Sequence, residues 1–172
     1  IGCMAVYALH QLSVIQSMIV STYQAVSGAG IKGMHEYEKQ LSDLAQNKEI
    51  NIDVFPYQIV SNLIPQIGDF NEDGYTSEEM KMQNESRRIL HAPQLRVNCT
   101  CVRVPVLRSH SLSMTLHFEK EISLQQAKDA IESAKGCRLI DEPLYPMPLD
   151  TSNQDLVYVG RIRKDLTSSK GI

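Results

Sequence analysis

The sequence predicts an α+β fold in which a mixed, largely antiparallel sheet has helices packed on one face. The clearest observation is the strict alternation of apolar and polar residues over 112–118, which is typical of a strand with one buried face. A second observation is a pair of capping-box sequences, Thr76 to Glu79 and Ser123 to Gln126, each typical of a helix start. The third is that strands and helices do not alternate strictly along the chain, which favours an α+β sheet.

The first elements of the chain are a helix and a buried strand. Over 4–12, apolar residues recur every four positions, which predicts a short helix with Cys3 at its start. The β-branched, apolar run at 18–23 predicts a largely buried strand. This strand leads into the sequence Ser-Gly-Ala-Gly at 27–30, where glycines permit backbone conformations that other residues resist.

The middle of the chain is less regular. Residues 34–47 are polar and favour a helix by propensity. Prolines then punctuate the stretch 55–65, which predicts short, irregular elements. Residues 76–91 form the next predicted helix, opened by its capping box.

Three strands and one helix are predicted in the last part of the chain. Residues 96–106 are strand-like, and Pro105 places them at an edge or a bend. The alternating strand over 112–118 follows, and then a helix that Gly136 ends. Residues 155–162 form the last predicted strand.

Composition narrows the class of protein. The chain has 172 residues, 42% of them hydrophobic and 22% charged, which fits one folded domain over 1–172. A net charge of -3 without basic runs argues against nucleic-acid binding. No apolar stretch reaches the roughly 18 residues that a membrane span needs. Four cysteines without a secretory signal indicate reduced thiols, so we expect a cytoplasmic location, or a plastid in a plant.

Three residues could carry chemistry on the basis of their positions. Cys3, at a helix start, would feel the positive end of the helix dipole, which favours the thiolate; the alternative is a packing residue. His110, just before the alternating strand, could act as an acid or base, or be a hydrogen-bonded structural histidine. Arg103 lies among valines and must pair with an anion, either a ligand or an internal carboxylate such as Glu78.

Other polar residues could bind a small ligand. Glu78 and Lys81 share one face of the predicted helix, which could bind a substrate with both an ammonium group and a phosphate or be merely solvated. The Gln24 amide follows the buried strand and could donate to a carbonyl or oxyanion. The glycine-rich sequence at 27–30 would allow close approach of a flat ligand.

No metal site is predicted. Residues 69–74 match the first half of a calcium-binding loop, but position twelve is Met80 where a glutamate is needed. Cys99 and Cys101 have no second pair of ligands with which to hold zinc.

Four segments resemble aspartate-semialdehyde dehydrogenases. The glutamine-bearing segment is 21–30, the acid-and-lysine helix 74–81, the arginine-to-histidine segment 101–111, and the late strand 159–165. The matches run in order over nearly the whole chain. The resemblance implies the C-terminal domain type shared with glyceraldehyde-3-phosphate dehydrogenase, and a homodimer.

The resemblance also implies a reaction. The family reduces β-aspartyl phosphate to aspartate semialdehyde with NADPH, on the route to lysine, methionine and threonine, by way of a cysteine thioester. The implied site residues are Cys3, Gln24 and His110 for catalysis, Glu78, Lys81 and Arg103 for the substrate, and Ser27 and Gly28 for the cofactor. NADP belongs to the full-length family, and we expect this chain to bind none tightly and to be inactive alone.

The sequence departs from the family pattern in three places. Cys3 lacks the flanking Asn-Pro-Asn and Ser/Thr of the family, and the separation from Cys3 to Gln24 is shorter than expected. The Rossmann half, with its glycine-rich pyrophosphate loop, is not in this sequence. The family's final helix, which packs against the nucleotide domain, is missing after Ile172. Two other functions stay open: a non-enzymatic dimerisation module, and a cofactor-independent thiol esterase that uses Cys3 and His110.

Overall fold

The computed structural model describes residues 1–172, and the predicted helices and strands occur in the predicted order, with β4 (Cys137–Ile140) and α5 (Pro148–Thr151) in addition. The elements are α1 (Gly2–Leu12), β1 (Ile15–Gln24), a 3-10 turn (Val26–Ala29), α2 (Gly30–Ala45), α3 (Ser77–Ile89), β2 (Arg96–Arg103), β3 (Ser111–Phe118), α4 (Leu124–Ser133), β4 (Cys137–Ile140), α5 (Pro148–Thr151) and β5 (Val157–Gly160). No helix is both long enough and apolar enough to cross a membrane.

Two sheets are present, and the main one is mixed as predicted. β1 lies in the centre of a three-stranded sheet, parallel to β2 and antiparallel to β3, and β4 pairs with β5 in a two-stranded sheet. Antiparallel pairing is less dominant than expected, because the β1–β2 and β4–β5 pairs are both parallel. Alternation within a strand identifies its buried face but not the direction of its neighbour, so the sequence pattern could not determine this balance.

The main sheet has one covered face and one open face. On β1, Met18 and Val20 are each 1% exposed, whereas the intervening Ile19 is 51% exposed. The buried side chains join one apolar core with Leu9 of α1 and Ile131 of α4. Helices therefore cover one face of this sheet, as the sequence predicts.

Helix α3 is fixed to β2 through its capping box. The Thr76 hydroxyl accepts a hydrogen bond from the Glu79 N–H, and the Glu79 carboxylate accepts from the Thr76 N–H at 2.8 Å. The other Glu79 oxygen accepts from the Cys101 N–H of β2 at 2.9 Å. Glu79 thus satisfies a helix start and a strand amide together, which sets the position of α3 against the sheet.

The predicted irregular stretch lies over α2 and packs a small apolar cluster of its own. Ile59 is fully buried there beside Val26 and Phe55. Gln40 of α2 holds the stretch in place, because its side-chain oxygen accepts the Ile59 N–H at 3.0 Å and its amide donates to the Asn51 carbonyl at 3.1 Å. Because Val26 belongs to this cluster, the packing also holds the turn at Val26–Ala29 in place.

Candidate functional site

Four residues predicted from separate parts of the sequence come together where β1 and β2 end. Gln24 and Arg103 are the last residues of the two strands and are direct register partners, since these strands run parallel. The Gln24 amide donates to the Glu78 carboxylate of α3 at 3.5 Å. His110 follows on the loop that leaves β2, and its Nδ1 contacts the backbone at Ala25.

Arg103 is a buried guanidinium with unused donors. The residue is 7% exposed, and the one hydrogen bond of its guanidinium within the chain is donated by Nη1 to the Ala25 carbonyl at 2.7 Å. No carboxylate lies within ion-pairing distance of it. Burial lowers the pKa of Arg103 from its ordinary value, and the negative charge of Glu78 opposes that effect. Because a guanidinium carries five N–H donors, this one can bind an incoming anion through several of them.

His110 is held by the main chain. The Ala25 N–H donates to His110 Nδ1 at 2.9 Å. Burial lowers the pKa of His110 from its ordinary value of 6.5, and the positive charge of Arg103 lowers it further, against a raising effect of Glu78. The ring is therefore neutral at pH 7.

Gly28 packs closely against these two side chains. A Cβ added to Gly28 would lie 2.8 Å from Arg103 Nη1, 3.2 Å from His110 Cε1 and 3.4 Å from His110 Nε2. The turn is fixed by its backbone, because the Ser27 N–H donates to the Leu107 carbonyl at 3.1 Å. Any side chain at Gly28 would collide with Arg103 and His110, so the glycine allows both side chains to keep their positions.

Lys81 lies at the rim of the site. Its ammonium group is 3.2 Å from the Glu78 carboxylate, with the Lys81 side chain 61% exposed and that of Glu78 31% exposed. The pair presents a positive and a negative group beside the buried arginine. This arrangement suits a small substrate that carries charges of both signs.

Cys3 lies apart from these residues. Its thiol donates to the Ser86 hydroxyl of α3 at 3.6 Å, and it lines an apolar cavity of about 700 Å³ between α1, α3 and α4. None of the four clustered residues lines that cavity, and no hydrogen bond joins Cys3 to His110. The structure thus brings together Gln24, Glu78, Arg103 and His110 but not Cys3, whose catalytic role stays a prediction.

Several residues that support the site were not predicted from the sequence. Ala25 contributes only backbone groups, which no residue type can reveal. The Ser109 hydroxyl contacts that of Thr151 in α5 at 2.7 Å, and Ser109 has a positive φ of 73°, which places His110 at a sharp bend. The Tyr37 hydroxyl of α2 donates to the Pro105 carbonyl at 2.9 Å. Of these residues, only Ser109 has a feature that is common at functional sites. That feature is its positive φ, which the sequence does not reveal.

The fold and the site define an α+β domain with a binding site for a small, charged molecule at the end of a mixed sheet. A family model described as "Semialdehyde dehydrogenase, dimerisation domain" matches residues 6–172. The chain therefore belongs to the semialdehyde dehydrogenase dimerisation-domain family. No group of three or more His, Cys, Asp or Glu side chains could hold a metal ion.

Relatives and solved structures agree with this assignment. The chain is 50% identical over 156 residues to the aspartate-semialdehyde dehydrogenase of Campylobacter jejuni, covering 88% of this chain and 45% of the relative. Aspartate-semialdehyde dehydrogenase II from Vibrio cholerae superimposes with a TM-score of 0.96 at 36% identity, covering 99% of this chain and 51% of that one. The same enzyme complexed with ASA gives a TM-score of 0.95 at 36% identity, covering 97% and 50%.

A more distant structure shares the fold alone. It is an aspartate-semialdehyde dehydrogenase with NADP from Candida albicans, with a TM-score of 0.66 and 22% identity over 94% of this chain and 45% of that one. The chain spans about half the length of the curated relatives it matches, with shares of 45% and 51% for the first two.

Proposed function

We propose that this chain is the substrate-binding and dimerising part of an aspartate-semialdehyde dehydrogenase, which reduces β-aspartyl phosphate to aspartate semialdehyde. The observation that carries the proposal is Arg103, a buried guanidinium whose only partner in the chain is one carbonyl. A buried charge left with so few partners is costly unless a ligand completes its hydrogen bonds. The α-carboxylate of an aspartyl compound is an anion of the right shape.

Opposite charges at the site match the two ends of an amino acid. Arg103 binds the α-carboxylate, while the Glu78 carboxylate on the neighbouring helix receives the ammonium group. Gln24 donates to Glu78 at 3.5 Å and so holds that carboxylate in place. Lys81, exposed at the rim, binds the phosphate of the acyl phosphate.

The reacting end of the substrate then lies beside His110 and Gln24. His110 is the acid/base residue predicted from the sequence, and its Nε2 has no partner within the chain. Gln24 is positioned to orient the thioester that this class of reaction forms on a cysteine. The nucleophile itself is left unassigned, because the contact of Cys3 is with Ser86.

The residues near His110 fit the flat end of a nicotinamide. Gly28 presents bare backbone beside Arg103 and His110, where a Cβ would come within 2.8 Å of a side chain. Ser27 lies on the same turn. NADPH would supply the hydride of the reduction, while these two residues would do no more than place and shield the ring. The chain carries no glycine-rich pyrophosphate loop, so we expect it to bind NADP weakly.

The open face of the main sheet is the proposed contact with a second copy of the chain. Ile19 and Tyr23 of β1 are 51% and 44% exposed there, amid small polar residues of β2 and β3. An uncovered sheet face with apolar groups at its centre favours association. A dimer made through this face would be isologous, with β1 of one copy against β1 of the other.

The test uses two ligands that differ in one group. Purified chain is titrated by calorimetry with L-aspartate β-semialdehyde and with the decarboxylated amine analogue that lacks the α-carboxylate. We expect the first to bind and the second to bind at least about 100-fold more weakly, since two charge-assisted hydrogen bonds are lost. Equal affinity for both would contradict the proposal and favour the non-enzymatic dimerisation module.

A turnover assay tests whether the chain alone has the activity of a whole enzyme. Phosphate-dependent reduction of NADP is measured with aspartate semialdehyde and the purified chain. We expect no turnover. Turnover by the chain alone would contradict the proposal that the chain binds substrate and dimerises but does not catalyse the reaction.

A further inference from the structure

Glu79 is a buried carboxylate that lies next to the candidate site without belonging to it. The residue is 8% exposed, and it forms no ion pair with a lysine or arginine of the chain. A charge that is buried without an opposite charge carries a desolvation penalty. We therefore looked for a role of this carboxylate that a neutral side chain could not fill.

The capping box of α3 does not by itself require a charge. Helix α4 begins with the same kind of box, in which the Ser123 N–H donates to the side-chain oxygen of Gln126 at 2.9 Å and the Gln126 N–H donates to the Ser123 hydroxyl at 3.1 Å. A neutral amide thus completes a capping box in this chain. What distinguishes Glu79 from Gln126 is its second oxygen, which accepts the Cys101 N–H of β2 at 2.9 Å.

This second bond attaches α3 to an edge strand just before the candidate site. Because β2 is at the edge of its sheet, its outward N–H groups need partners from outside the sheet. The Cys101 N–H donates to Glu79, and the next outward N–H, that of Arg103, donates to the Ile64 carbonyl at 2.8 Å. Cys101 lies about 6.6 Å along the strand from Arg103, at about 3.3 Å per residue. On α3, Glu79 directly follows Glu78, so the bond connects the two elements that carry the charged residues of the site.

We propose that Glu79 is a positioning residue that sets the separation of Glu78 and Arg103, and with it the preference of the site for a molecule that carries an ammonium group beside a carboxylate. The inference rests on the proposed function, in which Glu78 receives the ammonium group and Arg103 binds the carboxylate. Glu79 acts without touching the ligand, because both of its oxygens accept main-chain N–H groups. The Arg103 guanidinium has its own main-chain partner, the Ala25 carbonyl. Loss of the bond between Glu79 and Cys101 should therefore displace Glu78 and leave the guanidinium in place.

The substitution Glu79→Gln removes the bond to the strand and keeps the helix cap. A glutamine side chain has one oxygen that accepts and one nitrogen that only donates. Its oxygen can complete the capping box, as that of Gln126 does in α4. Its nitrogen would then face the Cys101 N–H, and two donors cannot form a hydrogen bond.

Two ligands that differ in the ammonium group measure the effect on selectivity. L-Aspartate β-semialdehyde and 4-oxobutanoate, which is the same molecule without the ammonium group, are each titrated by calorimetry. We expect the native chain to bind the first at least about tenfold more tightly, because only that ligand meets Glu78. In Glu79→Gln this preference should fall below about threefold, while the affinity for 4-oxobutanoate stays within about twofold of the native value. Equal losses of affinity for both ligands would indicate a general structural role and would overturn the proposal.

Thr76→Val is the matched control for a weakened helix start. It removes the hydroxyl that accepts the Glu79 N–H but leaves the Glu79 carboxylate able to accept the Cys101 N–H. Both variants should unfold at a lower urea concentration than the native chain, since each alters the cap. Thr76→Val should nevertheless keep the native preference between the two ligands. A loss of preference as large as that in Glu79→Gln would mean that helix stability, and not the bond to β2, controls selectivity.

Amide hydrogen exchange checks the bond itself without a ligand. The chain has four cysteines, so labelling with ¹⁵N-cysteine gives four main-chain signals, and that of Cys101 is assigned by its loss in Cys101→Ser. We expect the Cys101 amide to exchange at least about tenfold faster in Glu79→Gln than in the native chain, with Cys99 unchanged. Unchanged exchange at Cys101 would contradict the geometry on which the proposal stands.

The same titrations distinguish failure of this inference from failure of the proposed function. If the native chain bound neither ligand, or bound both equally, the assignment of Glu78 to the ammonium group would fail and the role of Glu79 would fail with it. If the native chain preferred L-aspartate β-semialdehyde and Glu79→Gln kept that preference, only the role of Glu79 would be overturned.

Discussion

Replacing Arg103 with methionine should separate a ligand-binding arginine from a structural one. Methionine keeps the length and the apolar stem but removes the charge. The substitution loses one hydrogen bond from a charged donor to the Ala25 carbonyl, which contributes about 1.5–3 kcal/mol. It also removes a guanidinium that is 7% exposed and that no carboxylate pairs, which relieves a desolvation penalty of several kcal/mol. The free energy of unfolding should therefore change by less than about 2 kcal/mol in either direction.

Ligand binding should respond far more strongly than stability. An α-carboxylate held bidentately would lose two charge-assisted hydrogen bonds, each contributing about 1.5–3 kcal/mol. The dissociation constant for L-aspartate β-semialdehyde should thus rise by at least about 100-fold in Arg103→Met. Affinity for a ligand without a carboxylate should not change.

Urea denaturation and calorimetric titration of the same preparations measure the two effects. Arg96→Met is the matched control, because Arg96 is an exposed arginine at the opposite end of β2. It should change neither quantity appreciably. If Arg103→Met lost about 3–5 kcal/mol of stability while the affinity stayed constant, Arg103 would be a structural residue and not a ligand-binding one, and the reasoning would be refuted.

Three further substitutions test other parts of the molecule. Gly28→Ala should weaken semialdehyde binding about tenfold, because its Cβ would lie 2.8 Å from Arg103 Nη1 and displace one hydrogen bond; titration measures it. Ile19→Asp should weaken self-association by about 100-fold or more in sedimentation velocity, because it would bury a carboxylate in the proposed contact. Cys3, the one cysteine that is not buried, should be alkylated by iodoacetamide at the same rate in His110→Ala as in the native chain, since its contact is with Ser86.

For each of these three substitutions, one outcome would contradict the prediction. Unchanged affinity in Gly28→Ala would mean that the close contact at Gly28 does not determine how Arg103 meets the ligand. Ile89→Asp, at a site 50% exposed on α3, is the control for the dimer, and equal effects of the two aspartates would argue against the open face. A slower alkylation of Cys3 in His110→Ala would restore the prediction of a Cys3–His110 pair.

Most secondary structure was predictable because local chemistry determines it. The capping box that opens α3 satisfies two amides by itself, and the alternation over 112–118 needs only one buried face to form β3. The direction of pairing was not predictable, because the same alternation suits a parallel or an antiparallel neighbour. The second sheet, made of two strands of four residues each, leaves too short a pattern to recognise as a pair.

The candidate site was predictable in its side chains and not in its backbone. Gln24, Glu78 and Arg103 were marked by residue type and by the resemblance, and the structure brings them together. Ala25, by contrast, holds both Arg103 and His110 through its carbonyl and its amide, and nothing about an alanine indicates this. Cys3 shows the reverse case, in which a reactive residue type at a helix start contacts a different part of the molecule from the one expected.

The site is built by main-chain bonds, which explains why its side chains are free for a ligand. Parallel pairing ends β1 and β2 at the same edge, and the Val104 N–H continues the ladder to the Gln24 carbonyl at 3.0 Å. The following loop is tied back by the Val26 N–H to the Val106 carbonyl at 2.9 Å. With the backbone so fixed, Arg103 and His110 need few partners of their own, so substitutions there should alter binding before they alter folding. The hydrogen-bonded sheet edge thus keeps the backbone of the site rigid, and the unused donors of its side chains are available to bind a ligand.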